Sequence, residues 1–251
     1  MDRALNRVPE VTFAFWVIKI LATTVGETAA DFLSVNLNLG LGITSYVMSG
    51  VLVLALLNQF RLKRYVPVSY WIVVVFMSVT GTLITDRLVD NFGISLSTTT
   101  IAFSIVLIIV FALWYANEKT LAMHSINTAK RELFYWAAIL FTFALGTAAG
   151  DLLAEASGLG YAESALVFGG LIALITAGYY YFHLNAVLAF WMAYILTRPL
   201  GASMGDLLSQ PTANGGFGWG TVGTSMLFLS IILSLVIYLS LKQRRTNQPT
   251  H

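Results

Sequence analysis

Four aspartates lie in stretches of the sequence that are otherwise apolar enough to cross a lipid bilayer: Asp31, Asp86, Asp151 and Asp206. A charged residue at the centre of a spanning helix costs roughly 2.5–3.5 kcal/mol on insertion scales, and less toward the membrane interface. Because this cost is repeated four times, we expect it to be offset, either by a function that uses the carboxylates or by neighbouring groups that donate hydrogen bonds to them.

The four aspartates belong to an internal repeat. The windows that begin at residues 15, 70, 135 and 190 read "FWVIKILATTVGETAADFL", "YWIVVVFMSVTGTLITDRL", "YWAAILFTFALGTAAGDLL" and "FWMAYILTRPLGASMGDLL". Each has a tryptophan second, a glycine ten residues later and an aspartate five residues after that: Trp16, Gly26 and Asp31, then Trp71, Gly81 and Asp86, then Trp136, Gly146 and Asp151, then Trp191, Gly201 and Asp206. Chance does not explain this agreement, so the chain contains four copies of one unit.

The composition places these repeats in a membrane. Hydrophobic residues make up 57% of the chain, charged residues only 10%, and the mean hydropathy is +0.78. About 20 apolar residues are needed for a helix to span the hydrocarbon layer. By this measure the sequence predicts eight spanning helices, near residues 12–36, 42–60, 66–89, 98–116, 132–155, 163–182, 186–208 and 221–241.

The basic residues predict the orientation. They cluster before the first span and after the second, fourth and eighth: Arg3 and Arg7, then Arg61, Lys63 and Arg64, then Lys119, Lys130 and Arg131, then Lys242, Arg244 and Arg245. Because positive loops stay in the cytoplasm, we expect both termini there and a multi-pass protein of the inner (plasma) membrane. The first apolar run is too long for a cleavable signal, so we interpret it as a span.

The repeat also predicts the fold. The windows start 55, 65 and 55 residues apart, which groups the chain into two halves of two repeats, residues 1–120 with helices 1–4 and residues 121–251 with helices 5–8. Two spans per repeat give all repeats the same orientation. We therefore predict one all-α membrane domain of four parallel two-helix repeats, with pseudo-symmetry along the membrane normal and the aspartates at one depth.

Four tandem two-span units, each with a tryptophan, resemble a family of bacterial membrane proteins built from a repeat of unknown function. The opening stretch "RVPEVTFAFWVIKILATTVGETAADF" is especially similar to members of that family. The resemblance covers nearly the whole chain. It implies a bacterial inner-membrane protein with a link to the handling of metals or other cations.

The acids predict a cation site. We expect Asp31, Asp86, Asp151 and Asp206 to gather around the pseudo-symmetry axis as metal ligands or proton relays, with Glu27 as a fifth acid. Carboxylate oxygens suit Mn²⁺, Mg²⁺, other hard divalent ions or protons, and the chain has no cysteine for a thiolate site. A transported cation is therefore expected, with no tightly bound cofactor.

Other residues receive supporting roles. Lys19 and Arg198 are expected to act as counter-ions to the acids, the alternative being that they extend to the interface. Pro199 is expected to interrupt its helix and permit gating. We interpret the four repeat glycines as sites of close helix packing and the four tryptophans as interface anchors. Arg87, Asp90 and Glu155 are expected to be surface charges.

Together these features predict a transporter of a cation, with a divalent metal such as Mn²⁺ and proton-coupled export as the favoured form. Two alternatives stay open: a passive cation channel lined by the same acids, and a structural or sensory protein whose aspartates cap the helices that start near Thr44, Thr99 and Ser164.

The sequence lacks the features that would indicate an enzyme or a nucleic-acid partner. No nucleophile and base stand at a recognisable spacing, so we do not expect an enzyme. A net charge of +2 predicts no nucleic-acid partner. The expected partners are the lipid bilayer and a small inorganic cation, and homo-oligomerisation is left open.

Overall fold

The computed structural model describes residues 6–246, so Arg3 lies outside the described residues. Over this range the protein is helical and contains no strand. The eight long helices are α1 Phe13–Asp31, α2 Gly40–Arg61, α3 Pro67–Asp86, α4 Leu96–Glu118, α5 Ala129–Asp151, α6 Tyr161–Tyr181, α7 Ala186–Ser209 and α8 Gly220–Thr246. All eight are long and apolar enough to span a membrane, so the chain is a multi-pass membrane protein and the predicted spans are confirmed.

The first helix of every repeat lies inside and the second lies outside. Helices α1, α3, α5 and α7 contact one another in the order α1–α3–α5–α7–α1, and we call them the inner bundle. Within their apolar windows 56–72% of the residues are buried, against 11–17% in α2, α4, α6 and α8. The outer helices therefore present most of their surface to lipid, while the inner bundle encloses the polar residues.

Each outer helix packs against the inner helix of the following repeat. Helix α2 packs on α3, α4 on α5 and α6 on α7, and α8 completes the cycle by packing on α1. The arrangement confirms the predicted parallel repeats and gives them a pseudo-fourfold axis through the centre of the inner bundle. With eight spans, the described chain ends lie at one end of this axis, which we call the terminal end.

Side chains at the helix starts satisfy backbone amides that have no partner within the helix. At the terminal end, Thr12 accepts a hydrogen bond from the Phe15 amide and Thr128 accepts one from the Arg131 amide. The Asn185 side chain likewise accepts hydrogen bonds from backbone amides in the first turn of α7. Helix α3 begins instead with Pro67, whose missing N–H is not needed at that position.

The opposite end, which we call the acidic end, is marked by a π-helical turn in three repeats. These turns follow the aspartates directly, at Phe32–Asn36, Arg87–Asn91 and Leu152–Ala156. Seven residues after each of these aspartates the backbone is left-handed, with φ of 54°, 67° and 71° at Asn38, Gly93 and Gly158. The fourth repeat differs, because α7 stays α-helical to Ser209 before Pro211.

The repeat glycines lie at close contacts between neighbouring inner helices, as a packing role requires. If the repeat glycine carried a Cβ, that atom would overlap a residue of the next repeat. This residue always lies seven positions after the tryptophan of its own repeat. The pairs are Gly26 with Ser78, Gly81 with Phe143, Gly146 with Arg198 and Gly201 with Thr23. The same contact therefore recurs at all four interfaces of the inner bundle.

The tryptophans do not lie in the expected place. Trp71, Trp136 and Trp191 are only 2–4% exposed, and Trp16 is half-buried. They pack near the terminal end of the bundle in a cluster that we call the aromatic plug: Phe15, Trp16, Tyr70, Trp71, Tyr135, Trp136, Phe190, Trp191 and Tyr194. The interface-anchor prediction is wrong for the three buried tryptophans, because they fill the bundle interior.

Candidate functional site

A cavity of about 190 Å³ lies among the inner helices at the acidic end. It reaches the surface beside Asp90 and Glu155, which are both exposed. Seven acidic residues line it: Glu27, Asp31, Asp86, Asp90, Asp151, Glu155 and Asp206. All five acids that the sequence singled out are thus brought together around one space.

The pseudo-fourfold axis explains this convergence. Each repeat aspartate ends the α-helical part of its inner helix or, in α7, lies one turn before the end. Equivalent positions on four parallel helices must face the same axis at the same depth. Asp206 is buried, and the other three aspartates are half-buried.

The cavity is not a preformed metal-coordination shell. In the part of the chain that the structure describes, no three acidic or histidine side chains stand close enough to hold a metal ion. Hard cations are bound by oxygens at about 2.0–2.6 Å, whereas these aspartates project from four different helices around an open space. The expectation that Asp31, Asp86, Asp151 and Asp206 form one direct ligand shell is therefore wrong for this conformation.

The aspartates also do not cap the neighbouring helices. Helices α2 and α6 begin without a side-chain cap, and α4 is capped by its own Ser95. Thr44 and Thr99 donate their hydroxyls to backbone carbonyls of their own helices, at 2.7 and 3.0 Å. At these three helix starts the proposed capping contact is not formed.

Glu27 lines the cavity and pairs with Arg198, which lies behind it on the axis, and we call this pair the cavity floor. The Arg198 side chain is fully buried, and its Nη2 lies 2.9 Å from Glu27 Oε2. The guanidinium also donates to the Thr23 carbonyl at 3.2 Å, to Thr147 Oγ1 at 2.7 Å and to the Thr82 hydroxyl. Arg198 thus extends from α7 to each of the other inner helices, which places its guanidinium on the pseudo-fourfold axis.

The repeat pattern accounts for these partners. Eleven residues after its tryptophan, each of the first three repeats carries a polar side chain, namely Glu27, Thr82 and Thr147. The fourth repeat has Ala202 there, and its polar group comes one turn earlier as Arg198. One arginine therefore meets three acceptors around the axis. The expected use of Arg198 as a counter-ion is realised with Glu27 in this conformation.

Pro199 does not unwind its helix. Helix α7 is continuous from Ala186 to Ser209, and Pro199 lies inside it, next to Gly146 and Gly150 of α5. The predicted interruption is therefore wrong, because α7 continues through Pro199 with the loss of one backbone hydrogen bond. The two glycines of α5 leave room for the proline between the helices. Its gating role stays a prediction.

Lys19 lies deeper in the bundle. It is fully buried, so neither Lys19 nor Arg198 extends to the interface. The Lys19 Nζ lies 4.1 Å from the ring centre of Phe143 and 4.3 Å from that of Tyr194. Within residues 6–246 this Nζ has no hydrogen-bond partner. Lys19 is therefore not paired with an acid in this conformation.

Sequence reasoning placed Asp90 and Glu155 on the outer surface, and both are exposed, but they also line the mouth of the cavity. They lie four residues after Asp86 and Asp151, one helical turn further along. Val35 and Gln210 are their equivalents in the other repeats, and these also line the cavity. Extending the repeat alignment by one helical turn would have identified these four residues as equivalent positions. Arg87 instead contacts Tyr46, at 2.9 Å.

A second buried ion pair at the terminal end was also missed. Arg7 Nη1 lies 2.6 Å from Oε2 of Glu132, which is fully buried. The other Glu132 oxygen accepts hydrogen bonds from Gln59 at 3.1 Å and Trp136 at 3.3 Å. Neither Arg7 nor Glu132 lies in the repeat windows, so no pattern in the sequence indicates that they form an ion pair.

Comparison with known proteins identifies the repeat. The chain matches the family described as "Repeat of Unknown Function (DUF347)" over residues 14–65, 69–120, 134–184 and 189–245. Each matched segment contains most of one inner helix and nearly all or all of the outer helix that follows it. No curated protein matches the chain. No solved structure matches it. Since the matched segments cover most of its length, the chain belongs to this family of tandem repeats of unknown function.

Proposed function

We propose that this protein is a membrane transporter that moves a small cation, a hard divalent ion such as Mn²⁺ or Mg²⁺, through the acidic cavity. The observation that carries the proposal is the convergence of four equivalent aspartates on one cavity at the pseudo-fourfold axis. Clefts lined by one sign of charge and walled by low-dielectric material concentrate ions of the opposite sign. Seven acids around 190 Å³ supply such a field.

The spacing of the acids favours an ion that keeps part of its hydration shell. No three of the described acids approach closely enough to replace that shell. Ions of the Mg²⁺ type lose water reluctantly and bind through one or two carboxylates plus several waters. A water molecule takes about 30 Å³ in the liquid, so the cavity has room for a cation and several waters.

The filled axis below the cavity supports a transporter over a passive channel. A channel needs a continuous polar path, whereas here Arg198, Lys19 and the aromatic plug occupy the inner bundle in turn. Arg198 holds Glu27 and so competes with a cation for it. Pro199, beside Arg198, removes one backbone hydrogen bond and gives α7 a place to bend during alternating access.

The basic clusters support an orientation in the bacterial inner membrane. Their described members lie at the terminal end, and the positive-inside rule then places both termini in the cytoplasm. The acidic cavity accordingly faces the outside. Proton-coupled export is the direction that we favour, because an outward-facing cavity can release its cation in exchange for protons.

Elemental analysis of whole cells tests this function. Cells expressing wild type, Asp151→Asn or Glu163→Gln at equal membrane abundance are challenged with Mn, Mg, Zn, Co or Ni. Glu163 is an exposed acid of α6 outside the cavity lining, so it is a matched control. We expect wild type and Glu163→Gln to shift the cell content of one metal, and Asp151→Asn to lose that shift.

The sign of the shift gives the direction of transport. If wild type shifts no metal, the divalent-cation proposal fails. If Asp151→Asn shifts the metal as wild type does, the acidic cavity is not the transport site.

A further inference from the structure

Among residues 6–246, Lys19 is the one buried basic residue to which the proposed cation path assigns no binding role. Its side chain starts on α1, and its Nζ lies over Phe143 of α5 and Tyr194 of α7. Helix α5 lies across the inner bundle from α1, with α3 and α7 between them. Lys19 therefore reaches across the centre of the bundle, between the cavity floor and the aromatic plug.

A line of polar residues on α1 connects Lys19 with the cavity. Lys19, Thr23, Glu27 and Asp31 follow one another at intervals of four residues, so they share one face of the helix. The other repeats carry Val74, Ile139 and Tyr194 at the position of Lys19. Among the four equivalent positions, an amine occurs only on α1.

The charges around Lys19 do not balance. Helix α7 presents Arg198 and Tyr194, α5 presents Phe143, and α1 itself has Glu27 two turns away, already paired with Arg198. Toward the terminal end, the next titratable groups are the hydroxyls of Tyr70 of α3 and Tyr135 of α5, which hydrogen bond to each other at 2.5 Å. Helix α8, which also packs on α1, has no charged residue from Gly220 to Leu241.

Between the cavity aspartates and the aromatic plug, the described core thus holds two basic groups, Lys19 and Arg198, and one carboxylate, Glu27. The buried Asp206 lies two turns beyond Arg198 in the cavity lining. Burying an ammonium without an acceptor is costly, and aromatic faces compensate that cost only in part. The imbalance can be relieved in two ways. Lys19 can give its proton to water, or its ammonium can meet a carboxylate after Arg198 and Glu27 rearrange.

We propose that Lys19 carries the coupling proton and so makes the transporter an exchanger of cations against protons. When Nζ opens to water on one side of the membrane, the amine forms an N–H bond with a proton taken from that water. When Nζ opens to the other side, the same bond breaks and the proton passes to the water there. The inference rests on the proposed function, because a coupling residue requires a transported cation.

The test uses purified full-length protein in liposomes with Mn²⁺ as the probe and a pH-sensitive dye inside. Two fluxes are measured, proton movement driven by a Mn²⁺ gradient and exchange of labelled against unlabelled Mn²⁺ at equal concentrations. Wild type is expected to move protons against Mn²⁺. Lys19→Met keeps the length of the side chain without an ionisable group, and Lys19→Arg keeps a fixed charge.

We expect both Lys19 variants to lose Mn²⁺-driven proton movement and the pH dependence of transport, while part of the Mn²⁺ exchange remains. A purely structural role for Lys19 would change thermal stability or both fluxes together. Lys130→Met is the control, since Lys130 is exposed and lies away from the axis.

Proton movement by Lys19→Met at the wild-type ratio to Mn²⁺ overturns the inference and leaves the proposed function intact. If Lys19→Met loses all flux, the test depends on Lys19→Arg. Proton movement by Lys19→Arg at the wild-type ratio to Mn²⁺ also overturns the inference. If wild type exchanges no Mn²⁺ at all, the proposed function and the inference fall together.

Discussion

At the residue scale, the contact between Arg198 and Glu27 holds the polar centre of the bundle together. Both side chains are buried, at 0% and 7% exposure, and the other polar partners of Arg198 are hydroxyls and a backbone carbonyl. Pairs of this kind contribute little net stability as long as both members are present. Removing one member is costly, because it leaves the other charge uncompensated.

We predict that Glu27→Gln lowers the free energy of unfolding by about 3–5 kcal/mol, since the Arg198 charge loses its carboxylate inside the bundle. The measurement is denaturant or thermal unfolding of the purified protein in detergent. Lys130→Gln serves as the control, because Lys130 is exposed. Adding Arg198→Met to Glu27→Gln should recover part of the loss. Equal stability of Glu27→Gln and Lys130→Gln would contradict the buried pair.

The site could be predicted from the sequence only in part, and the residues show why. The fixed spacing from tryptophan to glycine to aspartate was enough to place Asp31, Asp86, Asp151 and Asp206 at one depth, as observed. The pairing of Arg198 with Glu27 could not be deduced, because it depends on which inner helices become neighbours. Asp90 and Glu155 were missed because the alignment ended one turn too early.

At the scale of elements, the interfaces between inner helices depend on residues without side chains. A Cβ on Gly81 would come within 2.6 Å of the Phe143 Cβ and 3.1 Å of the Ala144 backbone nitrogen. Backbone atoms cannot move aside as the end of a flexible side chain can. The equivalent contacts recur around the bundle, so a change at one interface affects the packing of all four inner helices.

We predict that Gly81→Ala destabilises the protein by about 1–3 kcal/mol, the usual cost of overpacking a tight interface. Gly50→Ala is the matched control, because Gly50 lies within α2 and no atom lies within 4 Å of the added Cβ. That variant should be as stable as wild type or more stable, since alanine favours the helix. The same unfolding measurement compares the two, and a similar loss in both would contradict close packing at Gly81.

The elements were predictable to different degrees. The eight spans could be read from hydropathy alone, because each requires a long apolar run. Hydropathy does not distinguish the buried α3 from the lipid-facing α4, since lipid and protein interiors are similarly apolar. For the same reason Trp71, Trp136 and Trp191 were placed at the interface. The π-helical turns after three aspartates had no recognisable sequence signal.

At the scale of the whole molecule, the inner bundle changes character along its axis. The acidic cavity comes first, then the layer of Arg198 and Glu27, then Lys19 on its aromatic faces, and finally the aromatic plug. In this conformation the bundle is accessible at the acidic end and filled toward the terminal end. Under the proposed function, such an arrangement corresponds to one side of an alternating-access cycle.

The orientation of the molecule can be tested directly, because the chain contains no cysteine. Single cysteines are introduced at Ala213, exposed at the acidic end, and Asn127, exposed at the terminal end. We predict that a membrane-impermeant maleimide labels Ala213→Cys in intact cells, whereas Asn127→Cys is labelled only after permeabilisation. The reverse pattern would place the acidic cavity on the cytoplasmic side.

Whether a cation passes through the acidic cavity is measured by Mn²⁺ flux into liposomes that contain only the purified protein. Wild type, Asp151→Asn and the control Glu163→Gln are compared across a range of Mn²⁺ concentrations. Transport through the acidic cavity predicts saturable uptake by wild type and Glu163→Gln, and its loss in Asp151→Asn at equal folded protein. Equal uptake by Asp151→Asn and wild type, or no uptake above empty liposomes by wild type, would contradict it.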